Sequence, residues 1–225
     1  RKDELGEKSF NLFIETVDVG DILEFKGKCI LTKREEKTLK IVSWRMLSKS
    51  LRSLPDKWHG LQDIDERFRK RYLDLIMSPE IYRRFVTRSE IITEVRNFLI
   101  SAGYLEVETP ILQPLAGGAS AEPFVTHHNA LNIDLYLRIA PELYLKKLLI
   151  GGFPKVFEIC RNFRNEGIDM THNPEFTGAE FYESYSDAKK QKNFVEKMIK
   201  SLVKKVFKKT TVEYFFFSLI FLKIF

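Results

Sequence analysis

The clearest alternation of hydrophobic and polar positions lies in two segments, Lys155–Arg164 and Glu175–Tyr185, which a polar loop separates. Successive side chains of a strand point to opposite faces, so the two segments predict a β-hairpin. The apolar residues Phe157, Ile159 and Phe163 share the odd-numbered face of the first strand. The even-numbered face includes these polar or aromatic side chains: Glu158, Asn162, Arg164, Phe176, Glu180 and Tyr182. The pattern predicts one face for a core and one polar face.

Three further segments show the periodicity of helices that bury one side. Thr87–Ser101 has an apolar stripe, and Thr87 and Glu90 have capping-box spacing, which predicts that this helix begins at Thr87. Pro141 opens a second helix from its first position. A third helix begins at Asp187 and carries apolar residues on one side of a lysine-rich segment.

The first quarter of the chain is rich in residues that favour strands. Ile22–Thr32 and Thr38–Trp44 flank the charged turn Lys33–Lys37, which predicts a hairpin of a small β-barrel. A five-stranded barrel of the OB type needs more strands than residues 1–54 supply. We therefore expect only part of such a barrel here.

Shifts in composition divide the chain into four regions. Pro55 and Gly60 mark a charged connecting segment, in which Asp63–Arg71 is predicted to be a short helix. The last residues form an apolar run shorter than the roughly 20 residues that a membrane helix needs. The predicted regions are a partial barrel domain (1–54), a linker (55–80), a larger α+β domain (81–211) and an atypical phenylalanine-rich tail (212–225).

The net charge of +6 would suit nucleic-acid binding, but its distribution weakens that interpretation. Nine lysines and two acidic residues lie in 187–209, so the excess charge belongs to one predicted helix. A solvated lysine face is favoured over an RNA-binding surface, and a membrane-surface helix is a further alternative. Cys29 and Cys160 lack metal-ligand spacing, and no metal site is predicted in this chain.

The polar face of the predicted hairpin suits a ligand with anionic, cationic and aromatic parts. Arg164 could hold a phosphate or carboxylate through two charge-assisted hydrogen bonds. Phe176 could stack on a purine. Glu180 and Glu142 could each pair with an ammonium group. On pattern alone, an exposed hairpin with surface salt bridges remains the favoured alternative.

Longer sequence runs change that balance. The run FEICRNFRNEGIDMTHNPEFTGAEFYESYSD, residues 157–187, resembles motif 2 of class II aminoacyl-tRNA synthetases in its lysine-specific form. The run GYLEVETPIL, residues 103–112, resembles motif 1, with Pro110 as the terminal proline. The resemblance to lysine–tRNA ligases covers roughly residues 18–190. It implies an α+β protein, with a partial OB-type anticodon-binding barrel followed by the first half of an antiparallel-sheet catalytic domain.

The resemblance implies roles for individual residues in binding ATP. Arg164 would bind both the α-phosphate of ATP and the lysine carboxylate, and is the expected catalytic residue. Glu166 and His172 would contact ATP from the loop between the strands. Phe176 would stack against adenine.

The resemblance also implies a lysine site and a subunit interface. Gly118 and Glu142 would hold the α-amino group of lysine, and Arg164 would bind its carboxylate. Tyr182, with Glu180 nearby, would line the pocket for the ε-ammonium group. Motif 1, which ends at Pro110, would form the interface of a homodimer.

The implied activity is ATP-dependent activation of L-lysine to lysyl-adenylate, followed by transfer to tRNA(Lys). ATP is then a substrate, and Mg²⁺ would be held by acidic residues of a later region. A cytoplasmic enzyme without a membrane association is expected, and an organellar one stays open. Because the sequence contains no motif 3, we expect part of a longer ligase with little activity alone. Two alternatives stay open: a paralogue that modifies an elongation factor, and a non-catalytic protein derived from the fold.

Overall fold

The computed structural model describes residues 5–52, 54, 61, 63–169 and 171–209. The predicted tail, residues 212–225, and the start of the predicted linker, residues 55–60, lie outside the described residues. The chain divides into two compact units, Arg1–Arg83 and Arg84–Phe225. The elements in chain order are α1 (Glu7–Thr16), β1 (Ile22–Leu31), β2 (Lys37–Ser48), α2 (Ile64–Arg69), α3 (Arg71–Met77), α4 (Pro79–Ser101), β3 (Leu105–Glu106), β4 (Leu112–Gln113), β5 (Val125–His128), β6 (Ile133–Leu137), α5 (Glu142–Ile150), β7 (Lys155–Phe163), β8 (Glu175–Glu183) and α6 (Ala188–Val206). The mixture of helices and sheets is the α+β class predicted from the sequence.

The first unit contains the predicted hairpin, in which β1 and β2 pair antiparallel as a two-stranded sheet. Within the described residues this sheet is not a closed barrel, so the structure does not confirm the OB-type assignment. Strands and turns alone were expected before β1, and α1 corrects that expectation. The helix forms because it can pack on the sheet: Phe13 contacts Trp44 with ring centroids 5.3 Å apart. The Trp44 indole also donates to the Ser9 carbonyl at 3.2 Å.

The short helix predicted at Asp63–Arg71 is confirmed as α2. Asp63 is its N-cap, and its side chain accepts a hydrogen bond from the Glu66 amide at 2.8 Å. Asp74 of α3 is 1% exposed and lies between two guanidinium groups, with Arg67 Nε at 3.0 Å.

Helix α4 begins at Pro79 rather than at Thr87, so the predicted capping box was wrong. Proline is favoured in the first turn because its missing N–H would have no helical partner there. Thr87 and Glu90 therefore lie within the helix. Gly103 follows the helix with a φ of +82°, a left-handed conformation that ends it.

The second unit contains two three-stranded sheets. In one, β3 pairs parallel with β7, which pairs antiparallel with β8. In the other, β4, β6 and β5 are antiparallel, with β6 in the centre. The parallel β3–β7 pair makes the first sheet mixed.

The apolar face of the β7–β8 hairpin packs on α4 and α6, as the alternation predicted. The core residues Leu99, Tyr104 and Phe157 are 0–3% exposed. The side chains packed around them are Val95, Ala102, Ile159, Phe181, Phe194 and Met198. Because the apolar side of α6 is used in this core, it is not available to a lipid surface. Among the described helices, none has the length and apolarity to cross a membrane.

Candidate active site

The register of the β7–β8 hairpin places the predicted polar residues on one face. Glu158 lies directly opposite Glu180, and Asn162 lies opposite Phe176. Directly opposite residues of an antiparallel pair project to the same side of the sheet. The face assignment made from the sequence is therefore correct, but its two strands have different surroundings.

The β7 half of this face is covered by an ion-pair network. Glu158 and Arg138 are each 3% exposed. Arg138 Nη1 donates to Glu158 Oε1 at 2.6 Å, and Thr109 Oγ1 donates to Glu158 Oε2 at 2.7 Å. Both carboxylate oxygens of Glu158 are thus engaged within the protein.

Arg138 also fastens three segments of the unit together. Its Nη1 donates to the Thr109 carbonyl at 3.0 Å, and its Nε donates to the Arg161 carbonyl at 2.8 Å. Its own amide donates to the Ile111 carbonyl at 2.9 Å, and its carbonyl accepts from the Phe163 amide at 2.9 Å. Arg138 was not predicted as part of the site, because its partners are distant in sequence. The available signal was an arginine beside apolar residues, directly after the segment that forms β6.

The other half of the face is more open. It is formed by β8 and by Arg164, the residue directly after β7. Its amide donates to the Pro174 carbonyl at 2.8 Å, which closes the base of the loop. Its guanidinium carbon lies 5.0 Å from the centroid of the Phe176 ring. Its Nε is buried and has no hydrogen-bond partner among the described residues. A buried donor of this kind is ready for an anionic acceptor.

Two residues of β8 form a carboxylate–phenol pair. Tyr182 Oη donates to Glu180 Oε2 at 3.2 Å. Burial raises the pKa of Glu180, the Tyr182 hydrogen bond opposes that change, and the nearby Glu142 carboxylate reinforces it. Burial also raises the pKa of the Tyr182 hydroxyl, so this group stays protonated. A cation placed here would stabilise the charged form of Glu180.

Gly118 and Glu142 are brought together although they are distant in sequence. Gly118 has a φ of +92°, and a Cβ built there would lie 3.0 Å from the Cβ of Glu142. Glu142 is the first residue of α5, and its carboxylate pairs with Lys146 at 2.5 Å. Its influence on the Glu180 pKa shows that it belongs to the same electrostatic environment. The glycine thus leaves backbone surface open beside a carboxylate.

Three of the predicted site residues make their hydrogen bonds to groups outside this cluster: Glu166, His172 and Pro110. Glu166 Oε1 accepts from the Glu122 amide at 3.3 Å, and His172 Nδ1 lies 2.7 Å from Asp169 Oδ2. Both side chains are exposed, and within the described part of the loop their hydrogen bonds are to other groups near the loop. Pro110 is also exposed, and its carbonyl accepts from Gln113 at 3.2 Å.

The arrangement suits a ligand that carries both a negatively and a positively charged group. A guanidinium with an available donor faces an aromatic ring, and the Glu142 carboxylate lies close enough to help raise the pKa of Glu180, which burial raises most. Such a face can hold an anionic group and an ammonium group side by side. Among the residues that the structure describes, no group of three or more His, Cys, Asp or Glu could hold a metal ion.

Comparison with known proteins gives this geometry a family. The chain is 51% identical over 214 residues to a lysine–tRNA ligase of Fusobacterium nucleatum, which covers 95% of this chain and 43% of that protein. It is 52% identical to the lysine–tRNA ligase of Aquifex aeolicus, of which it covers 36%, and 53% identical to that of Bacillus cytotoxicus, of which it covers 43%. The chain thus spans less than half the length of these relatives. The profile of tRNA synthetases class II (D, K and N) matches residues 63–224, and the chain belongs to that family.

Proposed function

We propose that this chain is the part of a lysine–tRNA ligase that holds ATP and L-lysine during formation of lysyl-adenylate. The observation that carries the proposal is the open half of the hairpin face. There Arg164 lies over Phe176, close to the Glu180–Tyr182 pair. The names of the similar proteins add the substrate, and tRNA(Lys) would then receive the lysyl group.

Arg164 would act on the anions. Adenylate formation brings the lysine carboxylate to the α-phosphate, so two negative groups must approach each other. A guanidinium fixed between them places positive charge where negative charge concentrates. Phe176 holds the guanidinium through its ring face, which requires no hydrogen bond and leaves the donors for the ligand. The same ring would offer its edge and remaining surface to adenine.

The carboxylates would act on the two ammonium groups of lysine. Glu142, beside the open backbone at Gly118, would hold the α-ammonium group. Glu180, oriented by the Tyr182 hydroxyl, would face the ε-ammonium group. Half-buried carboxylates select a cation because neutral side chains would leave them unpaired.

Glu166 and His172, in the loop between β7 and β8, would also contact ATP. Asp169 accepts from the amides of Thr171 and His172, at 2.6 and 2.8 Å, and the Thr171 amide is the main cause that lowers the Asp169 pKa. The turn that Asp169 builds presents His172 outward. We propose that His172 and Glu166 reach ATP when the ligand is bound.

The remaining assignments concern the whole protein. The β1–β2 hairpin would belong to an OB-type barrel that binds the anticodon, and the segment ending at Pro110 would pair with a second copy. Exposed apolar side chains near that proline support the second proposal: Leu105 is 48% exposed and Leu115 is 76% exposed. Mg²⁺ would be held by acidic residues elsewhere in the protein.

The reach of the similarity separates the ligase from the elongation-factor paralogue. The matched 214 residues exceed the second unit, so the match includes most of the first unit with its hairpin. The resemblance implies that such paralogues lack the anticodon barrel. A match that extends over both units therefore favours the ligase.

The test is lysine-dependent exchange of pyrophosphate into ATP. It would be measured on this chain and on a chimera in which the chain replaces the matching segment of the Fusobacterium nucleatum ligase. Exchange by the chimera with lysine, but not with aspartate or asparagine, is the expected result. A folded chimera that binds ATP but shows no lysine-dependent exchange would contradict the proposal.

A further inference from the structure

The buried Arg138–Glu158 pair covers the β7 half of the hairpin face, beside the residues assigned to the ligand. Glu158 and Glu180 lie directly opposite each other on β7 and β8. Their Cβ atoms are then about 5 Å apart, a separation at which two like charges repel each other strongly. Without a counter-charge, the two carboxylates would favour sharing a proton.

Arg138 supplies that counter-charge, and its position is specific. Arg138 is 3% exposed, and its Nη1 lies 2.6 Å from Glu158 Oε1. Thr109 occupies the second oxygen of Glu158 at 2.7 Å. Glu158 is therefore both neutralised and fully hydrogen-bonded, whereas Glu180 has only the Tyr182 hydroxyl as a described side-chain donor.

The same arginine lies at the start of the segment that leads to Glu142. Residues 138–141 are all buried, and Glu142 follows them as the first residue of α5. Arg138 is thus connected to Glu142 by the buried segment 138–141, and it affects Glu180 through the charge of Glu158.

We propose that Arg138 is a positioning residue for ammonium recognition: by neutralising Glu158, which lies opposite Glu180, it leaves Glu180 as the carboxylate of this hairpin face that meets the ε-ammonium group of a diammonium ligand. The inference rests on the proposed function for the identity of that ligand, lysine.

The charge environment of Glu180 decides how the proposal is tested. Burial raises its pKa, and groups from each neighbouring element act on it. The titratable or charged groups that face it are Tyr182 on its own strand, Glu158 and Cys160 on β7, Arg164 after β7, and Glu142 on α5. Substitution of Arg138 or Glu158 removes one charge of the buried pair, while Tyr182, Cys160, Arg164 and Glu142 stay unchanged in the sequence.

The experiment is a titration of Glu180 in the full chain by NMR of ¹³C-labelled glutamate, with E180Q to assign the signal. Arg138→Met leaves the Glu158 charge uncompensated and should raise the proton affinity of Glu180 about tenfold or more. Glu158→Gln leaves the Arg138 charge uncompensated and should lower that affinity. The double variant R138M/E158Q should return it towards the wild-type value.

The proton affinity of Glu180 should change in opposite directions in R138M and E158Q if the charge of each residue matters. A purely structural role would change this affinity in the same direction in both variants. If R138M does not fold, E158Q and the double variant still decide the question. Unchanged titration of Glu180 in E158Q, or equal shifts in both single variants, would overturn the proposal.

Lysine recognition is measured separately in the chimera. The KM for lysine should rise in E158Q or R138M and recover in the double variant, while the KM for ATP changes little. If the wild-type chimera does not activate lysine, the proposed function fails, but the NMR titration still tests the network. If it does activate lysine and neither single variant changes the KM for lysine, the link between Arg138 and lysine fails alone.

Discussion

Arg138 and Arg164 both lie at the polar face of the β7–β8 hairpin, yet their guanidinium groups have opposite surroundings. Arg138 is almost fully buried and donates to a carboxylate and to backbone carbonyls. Arg164 is held by the ring of Phe176, and its buried Nε has no partner among the described residues. Nη1 and Nε of the first guanidinium donate to protein oxygens, whereas the buried Nε of the second retains donor capacity.

This difference teaches how one sheet can supply both stability and binding. A guanidinium saturated by protein oxygens holds segments together and offers nothing to a ligand. A guanidinium fixed by an aromatic face is oriented without using its hydrogen bonds. The structural arginine and the candidate catalytic one are the same residue type. They differ in whether protein oxygens already accept hydrogen bonds from their guanidinium groups.

The largest expected effect concerns stability and separates the two arginines. Arg138→Met should destabilise the second unit by about 3–5 kcal/mol, because Glu158 would remain as a buried, unpaired charge. Arg164→Met should cost much less, since no hydrogen bond to its Nε is lost. Urea unfolding followed by circular dichroism measures both. Equal losses for the two variants would remove the distinction, and recovery in R138M/E158Q is the control.

The next effect concerns catalysis, and here the Arg164 variant should be affected more than the Arg138 variant. In the chimera, Arg164→Ala should lower the rate of ATP–pyrophosphate exchange by about 10²–10³-fold, the usual cost of one preorganised donor to a developing charge. Arg164→Lys should recover only part, because an ammonium cannot reproduce the planar fork. The matched control is Arg161→Ala, whose side chain is 54% exposed and pairs with Glu175. If both alanine variants lose activity equally, the role assigned to Arg164 is wrong.

Phe176 connects the guanidinium to the nucleotide, so its loss should be felt in the affinity for ATP. Phe176→Leu should raise the KM for ATP about tenfold, since stacking on a base is worth roughly 1–3 kcal/mol. The KM for lysine should change less. Phe153→Leu is the control, since Phe153 is 43% exposed and precedes β7. An unchanged KM for ATP would argue against the stacking role.

The smallest effect contrasts two carboxylates on β8. A hydrogen bond from Lys190 is the main cause that holds the pKa of Glu183 at about 2, below its ordinary value of 4.5. Its stabilising contribution is therefore present above about pH 4.5 and is lost as the pH falls towards 2. Glu180 has a raised pKa, so its contribution has the opposite sign and weakens stability as the pH rises.

Two variants measure this contrast. Glu183→Gln should flatten the acid side of the stability profile, and Glu180→Gln should increase stability near neutral pH. Urea unfolding between about pH 2 and pH 7 provides the comparison. Changes of the same sign in both variants would contradict the assigned environments.

Alternation predicted the faces of the β7–β8 hairpin correctly because a strand has only two faces and a buried one demands apolar residues. Phe157 and Glu158 could therefore be assigned to opposite sides from the sequence alone. The burial of Glu158 could not be predicted, because it depends on Arg138, which contacts Glu158 from the segment that follows β6. A charged residue in a strand predicts a polar face, not whether a partner covers it.

The two errors in the helices have different causes. The capping-box spacing at Thr87 and Glu90 also occurs inside helices, and Pro79 marks the observed start. Helix α1 is stabilised by the packing of Phe13 on Trp44, a contact between residues that are distant in the sequence. Local patterns do not contain such contacts.

The parallel pairing of β3 with β7 has a kinetic consequence. Strands paired in parallel require a long crossover, and here it runs from Val107 to Pro154 and carries α5 with Glu142. The β7–β8 hairpin closes over a much shorter loop, so it should form first. In pulse-labelling hydrogen exchange, the hairpin amides should gain protection before the Val107 amide, which donates to the Phe157 carbonyl at 2.9 Å. Glu180 would thus be in place early in refolding, and Glu142 would join it only when the crossover closes.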